Sequence, residues 1–207
     1  MRADVDYLSG NSVEAEQTFS ALARSAAPGT ETHRRSVRRL FSIRAAEGSP
    51  EAELLLVSYA AEYPEDAAES VEMAVELSVA RMTAGDIAGA NAALDLLPPP
   101  TDPALVSRIE GQRGVLALLD GRPAVALSHL ETAAFIPGGD PVRRTDALQL
   151  AAALDRSDSV SATALGRGML SLLSERDPGP ILSAAESWTS GGAPEAAPTL
   201  LALAAAA

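Results

Sequence analysis

Residues 85–97 read GDIAGANAALDLL and residues 121–133 read GRPAVALSHLETA. In each, a glycine is followed five positions later by an alanine (Ala90, Ala126) and four after that by a leucine (Leu94, Leu130). Residues four apart share one face of an α-helix, so a small side chain stacks one turn before a large one. The glycine ahead of them turns the backbone without a Cβ penalty. Both stretches therefore read as helices entered through a tight turn and packed closely on a neighbour.

The same marks return in both directions along the chain. Toward the start they are Gly10, Ala15, Phe19 and Leu22 before Pro28, then Gly48, Ala52, Leu56 and Ala60 before Pro64. The two quoted copies end at Pro98–Pro100 and Pro137, and two further copies use Ser157, Ala162 and Gly166, then Gly192, Ala197, Leu201 and Ala204. Turn positions 10, 48, 85, 121, 157 and 192 are spaced by 38, 37, 36, 36 and 35 residues. An alanine-rich bias produces single matches, but it does not hold a register over six copies. The proline after each copy cannot continue a helix and closes the unit.

Each unit then reads as a helical hairpin whose apolar face needs a neighbour to cover it. Second helices are expected near 12–26, 50–62, 87–97, 123–134, 159–176 and 194–206. First helices are expected near 30–47, 66–84, 102–120, 141–155 and 178–190. Thr30, Asp66, Asp102 and Asp140 stand as N-caps or first-turn acids. Pro50, Pro103, Pro123, Pro141 and Pro194 stand where a first-turn proline is tolerated. Composition agrees: 47% of the 207 residues are hydrophobic, but only 3% are aromatic. Such a core is built from Ala, Leu and Val, and the β-branched and aromatic runs of strands are missing.

This pattern resembles the tetratricopeptide repeat (TPR) family, whose unit of about 34 residues carries a turn glycine, an alanine, a large residue and a closing proline. GNSVEAEQTF, GDIAGANAAL and GRPAVALSHL match its second helix, while Leu77 with Ser78, and Gly114, stand where its first helix carries Leu-Gly. Trp188 falls on the usual tyrosine position; the first-helix tryptophan is absent, and Arg44 and Arg81 replace aromatics. The resemblance implies an all-α, right-handed superhelix of about six hairpins over residues 1–207, the first truncated. Approximate units are 1–28, 29–64, 65–100, 101–138, 139–177 and 178–207. It also implies a scaffold whose concave groove, lined by first helices, binds a peptide or helix of a partner protein. The alternative is a structural or regulatory segment of a larger bacterial regulator or assembly factor, its groove filled by its own domains or a second subunit.

The chain offers little for catalysis. It has no cysteine, and its two histidines, His33 and His129, lie in different repeats. Carboxylates are scattered at helix-surface spacing, and no metal-binding, nucleophile-elbow or phosphate-loop motif occurs. No enzyme and no cofactor are expected. The formal charge of −12 speaks against nucleic acid. No run reaches the ~18 apolar residues of a membrane span, and no signal-type segment opens the chain. A cytoplasmic protein is the default expectation.

One constellation stands out. In residues 32–44, THRRSVRRLFSIR, arginines crowd one first helix, and Arg34/Arg38 and Arg35/Arg39 are like-charged pairs one turn apart. The TPR resemblance turns Arg35, Arg38 and Ser42 toward the groove, which implies an acidic-peptide or terminal-carboxylate site on Arg34, Arg35, Arg38, Arg39 and Ser42. Val75, Val79 and Met82 stand for an apolar stretch of the same groove. The competing expectation is neutralisation inside the fold by Glu62, Glu65, Asp66, Glu69, Glu72 and Glu76. The end, LLALAAAA, has no polar cap for Leu200, Leu201 and Leu203. It reads as a segment of a longer protein, or as a C-terminal helix that self-associates.

Overall fold

A computed structural model describes residues 12–139 together with 179, 182, 183 and 186. Among the described residues every element is helical and no strand occurs, which bears out the all-α class. The helices are α1 (Ser12–Ser25), α2 (Glu31–Ala46), α3 (Glu51–Glu62), α4 (Ala67–Thr83), α5 (Ile87–Leu94), α6 (Pro103–Leu119) and α7 (Pro123–Phe135), with a 3-10 turn at Pro64–Asp66. Their bounds follow the sequence marks within about three residues. Gly10, Asp140, Pro141, Pro194, Trp188, Leu200, Leu201, Leu203 and the helices expected over 141–155, 159–176 and 194–206 lie outside the described residues. So does all of the span 178–190 except residues 179, 182, 183 and 186, which are helical.

The turns are repeats of one another at the level of hydrogen bonds. Gly48, Gly85 and Gly121 all take positive φ, at 67°, 81° and 70°. At each, the glycine N–H donates to the carbonyl three residues back, and the next N–H reaches five back. The bonds run Gly48 to Ala45 and Ser49 to Arg44, Gly85 to Met82 and Asp86 to Arg81, Gly121 to Leu118 and Arg122 to Ala117. This is the Schellman arrangement, which satisfies the last carbonyls of the helix through a left-handed residue. Caps follow the sequence too: Thr30 Oγ1 accepts from the His33 N–H and Asp102 Oδ1 from the Ala104 N–H. Asp66 instead ends the 3-10 turn, one residue before α4.

The small–large pairs are core. Ala15, Ala52, Ala90 and Ala126 are fully buried, and Phe19, Leu56, Leu94 and Leu130 nearly so. The chain divides into two compact units, Met1–Ala80 with Ala93–Pro98, and Arg81–Ala92 with Pro99–Ala207. In the first, Val37, Phe41 and Ala45 of α2 meet Leu56 and Tyr59 of α3, Met73 and Leu77 of α4, and Ala93. Ala15 and Phe19 of α1 close on Leu40 and Ile43 of α2. In the second, α6 packs along α7. A Cβ on Gly114 would stand 2.6 Å from Leu130 Cγ, so this helix pair meets backbone against side chain. The Ser107 hydroxyl donates to the Ala133 carbonyl at 2.8 Å.

Candidate functional site

The arginine helix forms one wall of an open cleft of about 440 Å³, lined by Glu31, Arg34, Arg35, Arg38, Arg39, Tyr59, Asp66 and Glu69. All four arginines singled out in the sequence thus meet at one place. Their positions follow from helix geometry: Val37, Leu40, Phe41 and Ile43 bury one face of α2, which turns the interleaved arginines outward. The opposite wall comes from the end of α3, the 3-10 turn and the first turn of α4.

Two of the arginines are tied to that wall. Arg34 pairs with Glu31 on its own helix, and its Nη1 donates to Asp66 Oδ2 at 2.6 Å. Arg38 pairs with Glu69, donates from Nη2 to Glu76 Oε2 at 2.7 Å, and from Nη1 to Ser42 Oγ at 2.5 Å. Its guanidinium also lies 5.6 Å from the centre of the Phe41 ring. Burial opposes the charge on Arg38, but the Glu69 hydrogen bond and the Glu76 and Glu69 charges outweigh it and raise its pKa. The Arg34 pKa is raised by its hydrogen bonds to Glu31 and Asp66. The expected neutralisation inside the fold is therefore present at these two positions. Arg35 is exposed and Arg39 half-buried, each with an interaction of its own.

Tyr59 was not singled out in the sequence. Its ring is core and its hydroxyl reaches the cleft, donating to Asp66 Oδ2 at 3.1 Å. Burial first, then the Asp66 charge, raise its pKa, so it stays a neutral donor. The sequence signal for it is slight. Ala52, Leu56, Tyr59 and Tyr63 continue one apolar stripe, and nothing in that spacing reveals where the hydroxyl emerges.

The remaining candidates stand elsewhere. Ser42 is buried under Arg38, and Val75 and Met82 are buried, whereas Val79 is 38% exposed. None of the three apolar residues lines the cleft. His33 Nδ1 lies 2.8 Å from the Tyr63 hydroxyl and 3.1 Å from Glu62 Oε1, which in turn accepts from the Gly29 N–H. His129 Nδ1 lies 2.7 Å from Glu110 Oε2. No group of three or more metal-ligating side chains occurs among the described residues, and none of their helices is long and apolar enough to cross a membrane.

No family model, no curated protein and no solved structure matches this chain. Planar guanidiniums in a row, two of them oriented by carboxylates, form a surface that hydrogen-bonds carboxylate or phosphate oxygens in pairs. Among the lining residues only Tyr59 adds a hydroxyl, and its neutral form is a donor, not a base. The guanidiniums and the neutral phenol are donors, and Glu31, Asp66 and Glu69 supply acceptors in the same cleft.

Proposed function

We propose that this chain is a TPR-like interaction module, a cytoplasmic scaffold whose α2–α3–α4 cleft holds a carboxylate-bearing segment of a partner protein. The observation that carries it is the cleft itself, with four arginines of one helix gathered on its wall. The recurring glycine turns support the repeat architecture, because the same two backbone hydrogen bonds return at 48, 85 and 121. Arg34 and Arg38 are held in place by carboxylates, so they are preorganised for a ligand that Arg35 and Arg39 meet first.

Local contact decides recognition even though the chain as a whole is acidic. At physiological salt the screening length is about 8 Å, so charges on remote helices are largely silent at the cleft. The structural alternative, a segment whose arginines only brace its own helices, is favoured by the Arg38 contacts with Glu69, Glu76 and Ser42.

The test separates the two with substitutions that spare those bracing contacts. A displayed library of random peptides is selected on the wild-type chain and on an Arg35→Glu/Arg39→Glu variant of equal helicity. Sequences enriched only by the wild type support the module. Identical enrichment on both chains, or none on either, leaves the bracing role alone.

A further inference from the structure

We infer that the cleft takes a mixed-charge segment, one carrying a basic and an acidic side chain a few residues apart, rather than a run of acids. This rests on the reading of the cleft as a partner site and names the chemistry of the partner.

The lining is not uniformly basic. It carries Glu31, Asp66 and Glu69 beside Arg34, Arg35, Arg38 and Arg39, and Glu76 reaches Arg38 from just beyond it. The two signs are also unevenly spread along α2. Glu31 stands at its first residue, where Asp66 joins it through Arg34, whereas Arg35, Arg38 and Arg39 follow along the next two turns. The Glu31 side chain is 71% exposed, with its Oε2 held by Arg34. The start of α2 thus carries two carboxylates around Arg34, and three arginines follow along it, with Glu69 and Glu76 set against Arg38.

Such a surface penalises a polyacidic ligand. A carboxylate that reaches Arg35 or Arg39 brings its neighbours toward Glu31 and Asp66, and like-charge juxtaposition is what excludes wrong partners at interfaces. A segment with one charge of each sign escapes that cost. It also gains at both ends, because a guanidinium carries five N–H donors and the carboxylates orient Arg34 and Arg38 without exhausting them. Helix rise sets the spacing: from Glu31 to Arg39 the axis advances about 12 Å at 1.5 Å per residue. An extended peptide covers that distance in roughly three to four residues at about 3.3 Å each.

The experiment is a charge-by-charge cycle on peptides enriched by the wild-type chain alone. Each peptide is synthesised with its basic residue, its acidic residue or both replaced by glutamine. Affinity is measured by fluorescence anisotropy against the wild type, Glu31→Gln and Arg35→Gln/Arg39→Gln chains. The expected result is a basic and an acidic residue two to four apart in the enriched sequences, each neutralisation weakening binding about tenfold. Glu31→Gln then abolishes the dependence on the basic residue only, and Arg35→Gln/Arg39→Gln the dependence on the acidic one only. Enrichment of polyacidic peptides whose binding tightens on Glu31→Gln overturns the mixed-charge reading and leaves the anion-binding module standing. Affinities that none of these substitutions moves overturn both.

Discussion

Two hairpins of this chain share a turn and differ in what joins their helices. At Gly48 and at Gly121 the same pair of backbone bonds ends the first helix, and a fully buried alanine opens the second, Ala52 in one and Ala126 in the other. Beyond that the hairpins diverge. On α2, Arg44 reaches Glu16 of α1 at 2.6 Å, Glu47 at 3.1 Å and Glu51 of α3 at 3.0 Å, while Arg34 and Arg38 reach the 3-10 turn and α4. The α6–α7 pair instead closes through small residues, with Gly111 facing Ala133 and Gly114 beneath Leu130. The turn is thus a fixed part, and the faces are free to become either a charged wall or a close apolar seam.

The largest effect that breaks this comparison is expected at Arg38. Replacing it with alanine leaves Glu69 and Glu76 without their shared cation and Ser42 without its donor, in a partly buried setting. The expected loss is about 2 kcal/mol, the scale for removing one partner of a charged hydrogen-bonded group. Arg35→Ala, at an exposed position, should stay within about 0.5 kcal/mol. Urea unfolding followed by circular dichroism reads both. Equal losses would mean that the wall is not braced through Arg38.

The seam is sharpened by two glycines on one helix. A Cβ at Gly114 meets Leu130 Cγ at 2.6 Å and Cδ2 at 2.8 Å, and Leu130 is buried with little room to retreat. A Cβ at Gly111 meets only Ala133 Cβ, at 4.0 Å, an ordinary contact. Alanine in a helix interior is favoured over glycine by about 1 kcal/mol. Gly111→Ala should therefore stabilise by most of that amount. In Gly114→Ala the clash exceeds the propensity gain and leaves a net loss of about 1 kcal/mol. Melting temperatures that move in the same direction for both would show that α6 and α7 are not in close contact at Gly114.

Much of this was legible in the sequence because turns and buried small–large pairs are local signals. Gly48, Gly85 and Gly121 declare themselves by spacing, and Thr30 and Asp102 cap helices from one residue outside them. Gly114 was marked by its place in the repeat, though what it makes room for, Leu130, is sixteen residues away and visible only in the fold. The arginine cluster was visible, but the division of labour within it was not. Arg34 and Arg38 find carboxylates 31 to 38 positions away, a pairing set by how α2 meets the following turn and helix. Val75 and Met82 read as groove residues because a buried and a groove-lining apolar residue share one spacing; burial distinguishes them, and spacing does not.

Alkaline pH offers the subtlest separation of the two hairpins, because one has tyrosines and the other has none. Tyr59 and Tyr63 cap the apolar stripe of α3, whereas the sequence from Pro103 to Phe135 contains no tyrosine. Burial raises both tyrosine pKa values, with the Asp66 charge adding to it at Tyr59 and the Glu62 hydrogen bond at Tyr63. A folded-state pKa above the unfolded value of about 10 means that the protonated form holds the fold together. That stability is whole below pH 10 and is lost as pH rises through the folded values. Arg34, Arg38 and Arg44, whose pKa values are also raised, keep their charge across that range, so the ion pairs are not the part that fails. Pulse proteolysis at rising pH should cut within residues 31–66 before it cuts within 103–135. Tyr59→Phe should cost about 1 kcal/mol at neutral pH through the lost bond to Asp66. In return, the Tyr59→Phe/Tyr63→Phe chain should flatten the alkaline decline. A decline of unchanged steepness in that double variant would move the alkaline weakness away from α3, and with it the claim that the Tyr59 hydroxyl at the cleft is held neutral by the fold.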